Sequence, residues 1–309
     1  MKKVFFIDGG AGRVIAAIPA LLKYVRLNPT EDCAFLVAGW DYLFWGIPEL
    51  QDRTYGLDTK GLFDNVIRNA DQIITPEPYR NPAYFRQEIS LVEAFDREIN
   101  NTLDHSNLGV PKLVFNVTEQ SVAENTIKDL KNTQKRPKTI VFQPFGRGAK
   151  LDRENVVDEE SRSLSVKDYL TLTKKLSQRY NMIFFGEPEF QLAADTYAAK
   201  FTCDLRQWAA LIAEADYFLG CDSVGQHMAR AVDTPGAVIF GSTFPINTSY
   251  PDYFKIIDRG TSKKYSPIRI AGLDVSLSNR LNETSMKFSD KELSDIFTGI
   301  VADIEKKVK

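Results

Sequence analysis

The turn Gly220-Cys-Asp-Ser-Val-Gly225 follows an apolar run and opens a helical pattern, which is where α/β sheets place ligand phosphates. The Ser223 hydroxyl and the backbone N–H groups after it can donate to a diphosphate. His227 lies four residues on, hence on the same helix face, and is one of two histidines in the chain. A second glycine-rich turn, Asp8-Gly-Gly-Ala-Gly-Arg13, precedes the helical periodicity of Val14, Ile15, Ile18, Leu21, Leu22 and Val25. It lacks the G-x-G-x-x-G spacing, so it reads either as an anion cradle or as a tight turn from strand to helix. The loop Thr75-Pro-Glu-Pro-Tyr-Arg-Asn-Pro-Ala-Tyr-Phe-Arg86 interleaves aromatics with arginines. Tyr79, Arg80 and Arg86 could stack on and clamp an acceptor, or the aromatics could pin a long connection. Trp40, Tyr42, Phe44 and Trp45 read mainly as core packing. No Asp-x-Asp motif and no His/Cys cluster stands in the chain, so no metal is expected.

These turns need strands and helices to hold them. Eight short apolar runs predict buried strands: 4–7, 34–37, 72–75, 113–117, 139–142, 182–185, 217–219 and 237–240. Helical patterns over 12–27, 83–103, 119–131, 165–180, 189–200, 205–215 and 223–232 alternate with them, which predicts parallel sheets with helices on both faces. A last helix, about 290–307, opens on the capping box Ser289-Asp-Lys-Glu292. At 309 residues the chain is expected to form two domains, and the polar stretch Lys128–Lys138 marks the boundary. The expected divisions are 1–135, 136–285 and a terminal helix within 286–309.

Hydrophobic residues make up 43% and charged residues 26%, the balance of a globular protein, and the net charge of −2 offers no global field for nucleic acid or an anionic membrane. Cys33, Cys203 and Cys221 are widely spaced and read as reduced core thiols of a cytoplasmic protein. No run approaches the roughly 18 apolar residues of a spanning helix.

The C-terminal half resembles the heptosyltransferase-like proteins, glycosyltransferase family 9. That family carries a leucine-rich helix, an Ala-Asp strand, D-S-G-x-x-H-L-A-A-A and a strand ending F-G-x-T-x-P. Here these appear as Trp208-Ala-Ala-Leu-Ile-Ala-Glu-Ala-Asp216, Asp222-Ser-Val-Gly-Gln-His-Met-Ala-Arg-Ala231 and Phe240-Gly-Ser-Thr-Phe-Pro245, in the same order. Thr139-Ile-Val-Phe-Gln-Pro-Phe-Gly146 and Met182-Ile-Phe-Phe-Gly-Glu187 resemble two further strands of the nucleotide domain. The resemblance implies the GT-B architecture, two Rossmann-like doubly wound domains facing a cleft, in which a terminal helix often packs back on the first domain. It implies a nucleotide diphosphate sugar as co-substrate, with no other cofactor. Gly146, Arg162, Glu187, Asp222, Ser223, His227 and Thr243 would bind this donor, Arg162 on phosphate and Glu187 on ribose or base.

The first domain departs from the family. Where the family has Gly-Asp, with the aspartate as base, this chain has Gly12-Arg13, and an arginine cannot accept a proton at neutral pH. Asp8 is the expected substitute, with Asp41 behind it, and Arg13 would hold an acidic group. Asp8 could equally cap the glycine turn. The expected activity is inverting, metal-independent transfer to a hydroxyl of a glycan or glycolipid. A hydroxymethylated DNA base as acceptor, or a catalytically inactive sugar-nucleotide-binding protein, are the competing readings.

Overall fold

The computed structural model describes residues 2–152, 155–158, 160–186, 197–259, 264, 269–270, 273–274 and 286–308. The chain divides into two compact units, Met1–Asn116 with Pro267–Leu273, and Val117–Ser266 with Asp274–Lys309.

In the first unit, β1 (Lys2–Ile7), β2 (Asp32–Val37), β3 (Thr54–Gly56) and β4 (Gln72–Ile74) form one parallel sheet in the order β3-β2-β1-β4. Helix α1 (Ala11–Leu27) follows β1 and packs against α2 (Leu91–Asn100). The two helices are tied by a buried ion pair, Lys23 Nζ to Asp96 Oδ2 at 2.8 Å, and His105 Nδ1 lies 2.7 Å from the same oxygen. Helix α2 starts on a capping box in which Ser90 and Glu93 satisfy each other's backbone N–H. The run 113–117, expected as a strand, is none: Leu113 is buried but Val117 is 78% exposed and begins the next helix. One long helical pattern, 83–103, is broken at Gln87, whose backbone is left-handed, into Pro82–Phe85 and α2.

In the second unit, six parallel strands stand in the order β12-β11-β10-β5-β8-β9. They are β5 (Thr139–Gln143), β8 (Asn181–Phe184), β9 (Ala199–Lys200), β10 (Tyr217–Cys221), β11 (Gly236–Phe240) and β12 (Lys255–Asp258). An antiparallel hairpin, β6 (Ala149–Asp152) with β7 (Asn155–Asp158), is inserted after β5. Counted without the hairpin, the order is the doubly wound 3-2-1-4-5-6. Helices α3 (Val117–Gln134), α4 (Val166–Leu176), α5 (Leu205–Glu214), α6 (Val224–Ala231) and α7 (Asp290–Lys307) complete the unit. The helix expected over 189–200 falls largely outside the described residues, and its end is β9.

Two expected boundaries shift. Helix α3 belongs to the second unit, because Ala123, Ile127 and Leu130 are buried and Glu119 grips Arg206 of α5 with two bonds of 2.6 and 2.7 Å. The division therefore falls before α3, where the polar stretch suggested a boundary after it. Helix α7 packs in the second unit's own core. Its stripe Leu293, Ile296, Ile300 and Ile304 joins Tyr169, Met182 and Tyr217, and the Tyr217 hydroxyl donates to Asp303 Oδ2 at 2.6 Å.

Candidate active site

In a doubly wound sheet the ligand crevice lies where strand order reverses, at the C-terminal ends of the strands. In the second unit that point is between β5 and β10. The strand ends there are Gln143 and Cys221, followed by Gly146 on one side and Asp222, Ser223 and α6 on the other. Ser223 sits at the N-cap of α6, with no side-chain cap bond of its own. Gln143 supplies the cap: its Oε1 accepts from Gly225 N–H at 2.9 Å, and its Nε2 donates to Ser223 Oγ at 3.3 Å. Sequence reasoning missed Gln143, although its place directly before Pro144 at a strand end was the available signal.

The glycines of this turn answer to packing. A Cβ on Gly220 or Gly225 would come within 2.5 or 2.7 Å of the Phe218 ring, and one on Gly236 within 2.4 Å of the Phe218 carbonyl oxygen. None of the three has a positive φ. The Phe218 ring thus crowds positions 220 and 225, the second also crowded by Gln143 Oε1 at 2.4 Å, and the β10 backbone crowds position 236.

Asp222 is buried, and both carboxylate oxygens are used within the protein. Oδ1 accepts from Gln226 Nε2 and Oδ2 from Thr243 Oγ1, each at 2.7 Å. Burial pushes its carboxyl above the usual range, against the opposing pull of Arg162 and of the Thr243, Thr248 and Gln226 bonds. Its role is to lock the start of α6 to the loop after β11. Arg162 donates to the Asp222 carbonyl at 3.0 Å and pairs with Glu160. Its loop is wound around Asp158, whose Oδ2 accepts from Arg162 N–H, Ser163 N–H and Ser163 Oγ. Gly146 N–H donates to Ser163 Oγ at 2.9 Å, and Ser242 Oγ lies within 3.0 Å of the carbonyls of Glu160 and Ser161. Gly146, Arg162, Asp222, Ser223 and Thr243 are therefore one connected constellation. Glu187 lies outside the described residues.

His227 is buried on α6, with Nδ1 2.9 Å from the Tyr250 hydroxyl, a partner the sequence did not suggest. Burial, aided by the Arg162 charge, lowers its pKa to about 4. Burial also pushes the Tyr250 phenol upward. Both are neutral at pH 7, so the tautomer of His227 decides whether Nε2 donates or accepts. Neither Cys203 nor Cys221 offers a nucleophile: burial pushes Cys203 up to about 12 and Cys221 further upward.

The same strand-order argument places a second crevice in the first unit, between β1 and β4, and Arg13 fills it. Its guanidinium is 3.4 Å from Asp8 Oδ1 and 3.4 Å from Glu77 Oε1, and it donates to the Pro76 carbonyl at 2.9 Å. It lies 5.0 Å from the Tyr79 ring and 5.5 Å from Phe95, and its side chain is 3% exposed. Arg13 does not stand ready for an acidic acceptor group, since two carboxylates already hold it. Glu77, which the sequence reading passed over, is the second of them. Gly9, with φ +96, lets this side chain cross the turn: a Cβ there would stand 3.0 Å from Arg13 Cδ. Tyr79 walls Arg13 and packs on Tyr84 at 5.6 Å, whereas Arg80 and Arg86 are exposed. Asp41 lies over Gly56, the last residue of β3.

Residues 167–258 match the model of glycosyltransferase family 9 (heptosyltransferase). None of the curated protein sequences matches the chain. Among solved structures it is similar to a family 9 glycosyl transferase from Veillonella parvula, with a TM-score of 0.67 and 15% identity, covering 99% of this chain and 96% of that one. It is similar to the E. coli ADP-heptose LPS heptosyltransferase II, with a TM-score of 0.63, 15% identity and 99% of each chain covered. It is also similar to E. coli heptosyltransferase WaaC, with a TM-score of 0.51, 13% identity and 97% and 99% covered. These findings bear out the resemblance to family 9, the GT-B fold and the assignment to the glycosyltransferases. No helix among the described residues is long and apolar enough to cross a membrane.

Proposed function

We propose that this chain moves a sugar from a nucleotide diphosphate sugar, bound at the β5/β10 switch point, to an acceptor hydroxyl in the cytoplasm. The observation that carries this is the gathering of Gly146, Arg162, Ser223 and the α6 N-terminus at the one place where a doubly wound sheet receives a ligand. Arg162 would face the leaving diphosphate and stabilise its charge in place of a metal, which suits an inverting, metal-independent displacement. Ser223 and the first backbone N–H groups of α6 would donate to phosphate oxygens. His227, neutral and oriented by Tyr250, would contribute a hydrogen bond to diphosphate or sugar rather than a charge. Thr243 and Asp222 would act by holding these groups in place, and Glu187 would take the ribose or base. Asp8 would serve as the base that deprotonates the acceptor, steered by Arg13.

The WaaC relative holds ADP-2-deoxy-2-fluoro heptose, which puts ADP sugars first among donors to test. A thermal-shift screen against ADP, UDP, GDP and CMP sugars examines the reading directly. A cognate donor at 100 times its Kd stabilises by about 2.7 kcal/mol, or roughly 2–4 °C per kcal/mol for a unit of this size. Flat melting curves across all four classes would refute it.

A further inference from the structure

The aromatic cluster after β2 turns outward. Residues Asp41–Phe44 form a single 3₁₀ turn, in which side chains three apart eclipse each other. Leu43 and Phe44 are fully buried and anchor it, which leaves Tyr42 and Trp45, an i,i+3 pair, on the outer side. Trp45 is 55% exposed, and the rings of Trp40, Tyr42 and Trp45 follow one another edge to face with centroids 6.2 Å apart at each step. Gly39 precedes them in a left-handed conformation, and a Cβ built there meets nothing within 4 Å. Two carboxylates meet at the end of β3, one of them on Asp41, between Trp40 and Tyr42 in the chain. A Cβ on Gly56, the last residue of β3, would stand 3.0 Å from Asp41 Oδ1 and 2.8 Å from Asp58 Oδ1, so both converge on one strand end. Trp40 Nε1 donates to the Gly9 carbonyl at 3.0 Å, which joins the platform to the turn that carries Asp8.

We propose that Trp40, Tyr42 and Trp45, with Asp41 and Asp58, form a binding site for a neutral sugar residue of the acceptor; this rests on the glycosyltransferase reading above. The site lies at the C-terminal ends of β2 and β3, where parallel sheets bind ligands, and Arg13 already fills the neighbouring crevice between β1 and β4. The polarised C–H face of a pyranose packs on the electron-rich face of an indole or phenol ring, and its hydroxyls donate charge-assisted hydrogen bonds to carboxylates. The two aspartates repel phosphate, so the same rings disfavour a nucleic acid.

The test follows tryptophan fluorescence while the full-length protein is titrated with neutral oligosaccharides (maltotriose, chitotriose, a mannotriose), a uronic-acid trimer and a single-stranded DNA oligonucleotide. A neutral trisaccharide is expected to bind the wild type. Trp45→Ala and Asp58→Asn, both changes at exposed side chains, are expected to weaken it about tenfold or more each, with donor-nucleotide affinity unchanged. Absence of binding by every neutral trisaccharide, binding by both variants equal to that of the wild type, or preferential quenching by DNA overturns the proposal. Donor affinity, read by calorimetry on the same samples, separates the two claims. Loss of donor binding alone condemns the transferase reading, and loss of glycan binding alone condemns the platform.

Discussion

Arg13 and His227 occupy corresponding places near the two switch points but differ in charge. Arg13 carries a full charge that two carboxylates neutralise inside the fold. Removing it takes a buried cation away from the carboxylates of Asp8 and Glu77, so Arg13→Ala is expected to cost about 3 to 5 kcal/mol in urea unfolding, while donor affinity stays unchanged. Arg13→Lys should restore only part, since an ammonium cannot span both carboxylates and the Pro76 carbonyl. A neutral effect of Arg13→Ala on stability would contradict its role as a structural clamp. His227 is held neutral, with a folded pKa of about 4 against an ordinary 6.5. The unfolded chain takes up the proton first as pH falls, so stability is lost between pH 6.5 and about 4, by up to about 3 kcal/mol. Asp222, raised by burial, acts with the opposite sign. Comparison of the wild type with His227→Gln therefore isolates the histidine: the variant should show a flatter acid limb, and parallel curves would show that the imidazole is not buried neutral.

At the scale of elements, Phe218 on β10 packs under the turn that carries the proposed ligand site. Gly220→Ala places a methyl group 2.5 Å from its ring, so about 1–3 kcal/mol of destabilisation is expected, and Phe218→Leu should recover part of it in a double-mutant cycle. Additive losses would mean that the glycine serves something else. The strands were legible wherever both faces are buried, as in β1, β2, β5, β10 and β11, because continuous apolar runs between Gly, Pro and Asp mark them. The missed strands carried no such signal: β3 is three residues long, and the hairpin β6–β7 reads as a polar stretch. The 113–117 run misled because all but Asn116 is apolar, yet only Leu113 is buried and the chain turns outward at Val117. Asp222, Ser223 and His227 of the proposed donor site stand together in the sequence because one turn and the helix after it carry them. Gln143, Tyr250 and Glu77 were not legible, since each reaches the site from a distant segment. The aromatic cluster misled in the other direction: composition cannot tell which rings of a 3₁₀ turn face the core.

For the molecule as a whole, each unit has its own parallel sheet, and the two switch points differ in what fills them. The first is filled by Arg13, which pairs with Asp8 and Glu77, and the second holds Arg162, paired with Glu160, beside the start of a helix. On this difference rests the proposal that the nucleotide diphosphate sugar binds the second unit, the central claim. Calorimetric titration of the wild type and Arg162→Ala with the nucleotide sugar that gives the largest thermal shift tests it most directly. Because a hydrogen bond to a charged group contributes about 1.5–3 kcal/mol, Arg162→Ala should weaken binding by about 10- to 100-fold, while Arg13→Ala leaves the affinity unchanged. Equal affinity in the wild type and Arg162→Ala, or a loss that appears in Arg13→Ala instead, would contradict the placement of the donor at the second switch point.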